Sequence, residues 1–157
     1  RTTIFDDPVF DGKNGLSTLT ATLEMHSPLD LVILMLGTND SKPCLQKSSQ
    51  EIALGCLKLI TIIKDAKYGP NRTPPKVILV CPPYVQNDKL GPMKMFFEGT
   101  DMSGLVEQYE QVSKLTWSGF FDSNTVIKTS DTDGVHLDKE NNEKLGVALA
   151  DRIKLML

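Results

Sequence analysis

The sequence of 157 residues lacks the marks of several large classes of protein. No apolar run approaches the roughly 20 residues that cross a bilayer, and the N-terminal residues do not form a signal peptide. The 17 basic and 20 acidic residues form no runs and leave a net charge of −3, which indicates no basic surface for nucleic acid or an anionic membrane. We therefore expect neither nucleic acid nor a membrane among the partners of this protein.

Signatures of metal, cofactor and disulfide chemistry are also missing. The three cysteines, Cys44, Cys56 and Cys81, have neither Cys-x-x-Cys spacing nor metal-type spacing with a histidine. We interpret them as small buried apolar residues, and their odd number suits a reducing compartment, which predicts a cytoplasmic location. His26 and His136 lie far apart and make a poor zinc set, and neither common glycine-rich phosphate loop occurs. We expect no metal and no cofactor.

What the sequence does contain is an apolar strand that ends in polar residues. Residues 31–36 are six consecutive apolar residues, and Gly-Thr-Asn-Asp follows at 37–40. Such a run is typical of a strand covered on both faces, as in a parallel sheet. Ligands bind at the carboxyl ends of parallel strands, so this strand would carry Asn39 and Asp40 to the functional edge, with Gly37 allowing a sharp turn. Taken alone, the four residues are more simply interpreted as an ordinary turn.

Strands and helices alternate along the rest of the chain. Ser48 and Glu51 have the spacing of a capping box at the start of a long helix, and Gly69-Pro70 is suited to end it. Asp138 is suited to cap the last helix. The remaining predicted elements are helices at about 15–26 and 100–116 and strands at about 30–36, 76–81 and 119–122. This order predicts one α/β domain over residues 1–157, with helices on both faces of a parallel sheet.

A long apolar connection follows the second predicted strand. It occupies residues 82–99 and leaves the carboxyl end of that strand. Its large apolar side chains have three open interpretations: they wall a pocket for an acyl group, they form a subunit contact, or they simply cover the sheet. These side chains are Tyr84, Met93, Met95, Phe96 and Phe97.

A second polar cluster, Asp-Gly-Val-His at 133–136, lies in a loop before the last helix. The imidazole of His136 is suited to act as a general base, and Asp133 could accept its other N–H and fix its tautomer. The side-chain amide of Asn39 could donate a hydrogen bond to an oxyanion. Without Asn39 upstream, a helix-entry histidine after a turn would be as good an interpretation as catalysis.

Five segments together resemble the single-domain bacterial arylesterase branch of the SGNH (GDSL-like) hydrolases, which also includes acyltransferases and perhydrolases. The resemblance implies a flavodoxin-like three-layer α/β/α sandwich and the hydrolysis of small acyl esters by a Ser-His-Asp mechanism without a cofactor. It extends over essentially the whole chain. The segments are Asp-Leu-Val-Ile-Leu-Met-Leu-Gly-Thr-Asn-Asp at 30–40, Ile-Ala-Leu-Gly at 52–55, Phe-Phe-Asp at 120–122, Asp-Gly-Val-His at 133–136 and Leu-Gly-Val-Ala-Leu-Ala at 145–150.

The same resemblance implies a role for each candidate residue. His136 would be the base, Asp133 its partner and Asn39 an oxyanion donor. Gly37 and Asp40 would shape the loop that carries Asn39.

The family's first block, Gly-Asp-Ser, supplies the nucleophile and does not occur in this sequence, and neither does Gly-x-Ser-x-Gly. Arg-Thr-Thr at 1–3 matches the segment that follows the family's second block. We therefore expect an incomplete domain that lacks its first two strands and its serine, so that this chain alone is inactive. Ser103, predicted in the first turn of a helix, is interpreted as a cap or surface residue rather than the nucleophile.

One consequence follows from this interpretation, and two alternatives to it stay open. The strand at 30–36 would be an apolar edge, which natural sheets avoid, so we expect it to pair with the missing N-terminal segment or to be buried in a homo-oligomer. The first alternative is a binding or interaction protein that has kept the fold and lost the nucleophile. The second is a flavodoxin-like binder of nucleotide or flavin, which the absence of a phosphate loop disfavours.

Overall fold

The computed structural model describes residues 1–156 and contains a parallel sheet of three strands, β1 (Leu31–Leu34), β2 (Lys76–Cys81) and β3 (Gly119–Asp122). Their order in the sheet is β1-β2-β3, and both pairs are parallel. Leu34 pairs with Leu79, which in turn pairs with Phe120, so the carboxyl ends of all three strands meet at one edge. The predicted α/β class and parallel sheet are confirmed.

Helices flank this sheet, and their starts follow the predicted caps. The Ser48 hydroxyl accepts from the Glu51 amide, and the Glu51 carboxylate accepts from the Ser48 amide in return. That backbone hydrogen bond, with help from Lys47 and the Ser48 hydroxyl, lowers the pKa of Glu51 to about 2. The Asp138 carboxylate likewise accepts from the Asn141 amide. The helices are α1 (Gly15–Met25), α2 (Ser49–Asp65), α3 (Lys94–Phe97), α4 (Leu105–Thr116) and α5 (Lys139–Lys154).

The main core lies between one face of the sheet and helices α2 and α4. Val77 and Leu79 of β2 face these helices and are almost completely buried. The helices contribute a stripe of buried apolar side chains, whose burial supplies most of the stability of such a layer. On the other face, Met156, just after α5, lies against Gly119 of β3. In the described part of the chain, no helix is both long and apolar enough to cross a membrane.

Three details of the prediction were wrong. The fourth helix begins at Leu105 instead of near residue 100, because Gly104 has a left-handed backbone conformation and residues 98–99 and 103–104 form turns. Helix α2 ends at Asp65, four residues before the predicted Gly69 stop. Cys44 is exposed in a short 3-10 helix, whereas Cys56 and Cys81 are buried as expected.

Strand β1 forms one edge of the sheet within residues 1–156. It is the first of three strands in the order, and its outer side has no partner strand in that range. Ile33 is 43% exposed and Met35, just after the strand, is 38% exposed. An apolar edge with an open hydrogen-bonding ladder favours addition of another strand. The expected pairing partner stays a prediction.

The turn after β1 is held by a buried tyrosine. The Tyr109 hydroxyl donates to the Leu36 carbonyl at 2.7 Å and accepts from the Cys56 thiol at 3.2 Å. Gly37 follows with φ of +121°, and a Cβ at this position would lie 2.4 Å from the Tyr109 oxygen. Only glycine satisfies both the backbone angle and this contact.

We expect Gly37→Ala to destabilise the protein by about 2 to 4 kcal/mol, since it combines an unfavourable φ with a steric overlap. Gly99→Ala is the matched control, because Gly99 also has a positive φ, +82°, but has no atom within 4 Å of the added methyl group. The measurement is urea unfolding of both variants. Equal losses for the two would show that the contact with Tyr109 is unimportant.

Candidate functional site

A cleft of about 460 Å³ opens beside the carboxyl ends of the strands. It brings together the two predicted polar clusters, since Asn39 from the turn after β1 and His136 from the loop before α5 both line it. This is where a parallel sheet presents its ligand-binding loops. The lining residues are Arg1, Asp7, Phe10, Lys13, Thr38, Asn39, Lys42, Met93, Phe96, Phe97, Val135 and His136.

Asp133 and His136 form a hydrogen-bonded pair. The distance from His136 Nδ1 to Asp133 Oδ2 is 2.6 Å, and Asp133 Oδ1 accepts from the backbone amides of Val135 and His136 at 3.0 and 2.9 Å. The Asp133 side chain is 17% exposed and that of His136 is 65% exposed. The aspartate is therefore fixed by its own loop, and it holds the imidazole by Nδ1 with Nε2 left for other contacts.

The environment of Asp133 keeps its carboxylate ionised. Burial raises the pKa of Asp133, but the hydrogen bonds from the His136 ring and from the His136 and Val135 amides outweigh it, so the pKa lies below its ordinary value. The carboxylate therefore stabilises the folded loop above the ordinary aspartate pKa. This contribution is lost as the pH falls through the lowered pKa.

Asn39, which also lines the cleft, is half-buried in the turn that Gly37 begins. Its side-chain Nδ2 donates a long hydrogen bond of 3.4 Å to the Arg1 carbonyl. A primary amide carries two N–H groups, so this contact leaves one available to a ligand. A free amide N–H of this kind is able to donate to a developing negative charge.

Asp40 does not line the cleft. It is completely buried, and its carboxylate accepts from the Thr3 amide at 2.8 and 3.0 Å and from the Thr3 hydroxyl at 2.5 Å. Burial raises the pKa of Asp40, and the hydrogen bonds from Thr3 offset only part of that rise. Asp40 thus fastens the N-terminal segment beneath the turn that carries Asn39.

The apolar connection after β2 contributes one wall. Met93, Phe96 and Phe97, which belong to or adjoin helix α3, are part of the lining of the cleft. Met95 is 81% exposed and Tyr84 is 39% exposed, and neither belongs to the lining. Part of the long connection therefore walls the site, and part faces outward.

Sequence reasoning missed an ion pair in the cleft wall. Lys42 Nζ lies 2.6 Å from Asp7 Oδ2, and the two side chains are only 5% and 1% exposed. Burial raises the pKa of Asp7, but the hydrogen bonds from Lys42, Val9 and Phe10 bring it below its ordinary value. No sequence pattern connects the two residues. Lys42 simply follows Asn-Asp by two positions, and Asp7 lies in an irregular N-terminal stretch.

The lining contains no serine and no cysteine from residues 1–156, and its one aliphatic hydroxyl belongs to Thr38. Ser103 is exposed in the turn before α4 and lies outside the cleft. Over the same residues, no group of histidine, cysteine and acidic side chains is arranged to hold a metal ion.

The whole of this chain aligns with solved structures of esterases. The native aryl esterase of M. smegmatis is 38% identical with a TM-score of 0.91, and the match covers 100% of this chain and 75% of that one. A carbohydrate acetylesterase from Sinorhizobium meliloti is 35% identical with a TM-score of 0.93 and the same coverage. No family model and no curated protein matches the sequence.

The Lys42–Asp7 pair yields a test of stability. We expect Lys42→Met to cost about 3 to 5 kcal/mol, because it leaves a buried carboxylate without its cation. The double variant Asp7→Asn/Lys42→Met should recover most of that loss, since the side-chain carbonyl of the introduced asparagine can still accept from the Val9 and Phe10 amides that now bond to Asp7 Oδ1. Urea unfolding measures both.

Lys47→Met serves as the control for this test. Lys47 also pairs with a carboxylate, that of Glu51, but these side chains are 27% and 45% exposed. Its removal should therefore cost less than about 1 kcal/mol. If Lys42→Met proved no more costly than Lys47→Met, the buried pair would have no special energetic weight.

Proposed function

The chain belongs to the SGNH (GDSL-like) family of aryl and carbohydrate acetylesterases, and from this membership we propose that the protein hydrolyses small acyl esters by a Ser-His-Asp mechanism. The observation that carries the proposal is the hydrogen bond of 2.6 Å between Asp133 and His136 at a cleft that Asn39 also lines. A base, its orienting carboxylate and an amide donor are the parts that acyl transfer requires besides a nucleophile.

His136 is the proposed general base. As a serine oxygen bonds to the ester carbon, Nε2 takes the hydroxyl proton, and it returns that proton to the alcohol oxygen as the ester bond breaks. A water molecule then repeats the sequence on the acyl-enzyme and releases the acid. Transfer of the acyl group to an alcohol other than water would follow the same steps.

Asp133 is the proposed partner of the base. Its lowered pKa keeps it ionised at neutral pH, so it stabilises the imidazolium that forms during each proton transfer. Because Asp133 bonds to Nδ1, it also selects the tautomer in which Nε2 is free to accept a proton. Asn39 is the proposed donor to the oxygen of the tetrahedral intermediate.

The proposed nucleophile is a serine outside residues 1–157. Two observations support this assignment: the described lining of the cleft contains no serine, and β1 offers an open apolar edge to another strand. A strand added parallel to β1 would bring its own carboxyl-end loop toward the cleft. The first observation also favours the alternative of a binding protein without catalytic activity, and the following experiment separates the two.

We expect the 157-residue chain to hydrolyse para-nitrophenyl acetate no faster than buffer, and a form extended by the residues encoded before Arg1 to hydrolyse it rapidly. The physical reason is that His136 has no serine hydroxyl to deprotonate within the described cleft. Initial rates of both purified forms provide the measurement. Equal activity of the two would refute the external serine, and inactivity of both would favour the binding protein.

In the extended form, Asn39→Ala should lower kcat by roughly 100-fold to 1,000-fold, as expected when one donor to an oxyanion is removed. The effect on KM should be small, because the hydrogen bond strengthens only as charge develops on the carbonyl oxygen. Asn142→Ala, at an exposed position of α5, is the control. A change in KM alone would assign Asn39 to substrate binding instead.

A further inference from the structure

The ammonium group of Lys42 is buried in the cleft wall with unused hydrogen-bonding capacity. An ammonium carries three N–H donors, and only one partner, Asp7, is found for it within residues 1–156. Asp7 cannot follow a movement of the lysine, because its other oxygen accepts from the amides of Val9 and Phe10. The ammonium group of Lys42 is therefore held in a fixed position, and two of its three N–H donors have no hydrogen-bond partner within residues 1–156.

Three aromatic rings surround this cation. Lys42 Nζ lies 5.3 Å from the centroid of the Phe10 ring and 5.7 Å from those of Phe96 and Phe97. All three rings, Asp7 and Lys42 line the same cleft as His136. Aromatic rings and a buried ammonium group in one lining together suit a ligand that is flat and apolar over most of its surface and carries an oxygen acceptor at one end.

The charges that line the cleft favour an anionic acceptor. Arg1, Lys13 and Lys42 are positive and Asp7 is the one carboxylate in the lining, although the whole chain carries a net charge of −3. Asp133 and Asp40 do not line the cleft. Asp133 is hydrogen-bonded to His136, and Asp40 is hydrogen-bonded to Thr3. A carboxylate among these cations would form a charge-assisted hydrogen bond with little competition from water.

We propose that Lys42 is a specificity-determining residue that binds a carboxylate on the aryl part of the substrate, so that the cleft selects acyl esters of hydroxylated aromatic acids. That this ligand is a substrate rests on the proposed esterase function. The binding of the aromatic carboxylate itself does not depend on it. Lys42 touches neither the ester carbonyl nor the base in this assignment, so its effect falls on selection among esters.

The first measurement is a ratio of kcat/KM values in the extended form, for para-acetoxybenzoate over para-methylphenyl acetate. Asp7→Asn/Lys42→Met removes the cation without stranding a buried carboxylate, and it should lower this ratio roughly tenfold, the effect of one hydrogen bond to a charged group. Dividing by the wild-type ratio cancels the different reactivities of the two esters. An unchanged ratio overturns the proposal.

The matched control is Lys47→Met. Lys47 also lies over an aromatic ring, with Nζ 4.8 Å from the Phe5 centroid, and also pairs with a carboxylate, but it does not line the cleft. The ratio should be unchanged in this variant. A fall as large as that of the double variant, which leaves the net charge unchanged, would mean that the preference is not specific to Lys42, and would overturn the assignment.

The second measurement requires no catalysis. Calorimetric titration of the extended form with para-hydroxybenzoate and with para-cresol compares the anion with its neutral analogue, both for the wild-type sequence and for the double variant. We expect tighter binding of the anion to the wild type and loss of that advantage, roughly tenfold, in the double variant. The same result in a protein that hydrolyses no ester would support Lys42 while refuting the esterase. No advantage of the anion in the wild type overturns the inference.

Discussion

The buried hydrogen bonds between Asp40 and Thr3 hold the two halves of the cleft together. The N-terminal segment supplies Arg1, Asp7, Phe10 and Lys13 to the lining, and it has no strand among the described elements to keep it in place. Among its attachments, the Asp40 carboxylate is completely buried and receives both the amide and the hydroxyl of Thr3. An ionised group removed from water is tolerated only with such donors, so the contact strongly favours one position of the segment.

The same attachment accounts for a glycine on helix α2. A Cβ at Gly55 would lie 2.2 Å from the Thr3 hydroxyl oxygen, so the helix can approach the N-terminal segment only where it has no side chain. One turn earlier in the helix, Ile52 packs near Gly37, which lies in the turn after β1. The segment Ile-Ala-Leu-Gly at 52–55 therefore supports both sides of the turn that carries Asn39, and its sequence follows from two close contacts.

Local physical chemistry explains which elements were predictable. The capping box at Ser48, the Asp138 cap and the apolar run at 76–81 each depend on residues near one another in sequence, and the structure contains all three. The start of α4 was misplaced because the left-handed conformation of Gly104 is set by the turns before it. Exposure of Cys44 was missed because a thiol carries no signal of whether its short helix faces the core or the solvent.

The contacts of the candidate site also divide into those that the sequence predicts and those that it does not. Asp133 and His136 are three positions apart, so a loop alone can join them, and the rule that parallel strands end at one edge brought Asn39 toward the same cleft. The hydrogen bonds of Asp40 and the pairing of Lys42 with Asp7 join residues 37 and 35 positions apart through no regular element. Such contacts have no periodicity in the sequence, and they appear only when the chain is folded.

A buried ion pair in a cleft wall carries a free-energy cost of desolvation. Apolar residues of similar volume usually give equal or greater stability than a buried pair, because they avoid the desolvation of two charges. Three phenylalanine rings already surround Lys42, so an apolar residue at position 42 would continue an existing apolar surface. The wall instead keeps an ammonium group whose position is fixed by Asp7 and whose remaining donors have no hydrogen-bond partner within residues 1–156. The lower stability of a buried ion pair is consistent with a role of the Lys42 ammonium group in binding a ligand. The positive charge of the surrounding lining favours the same role.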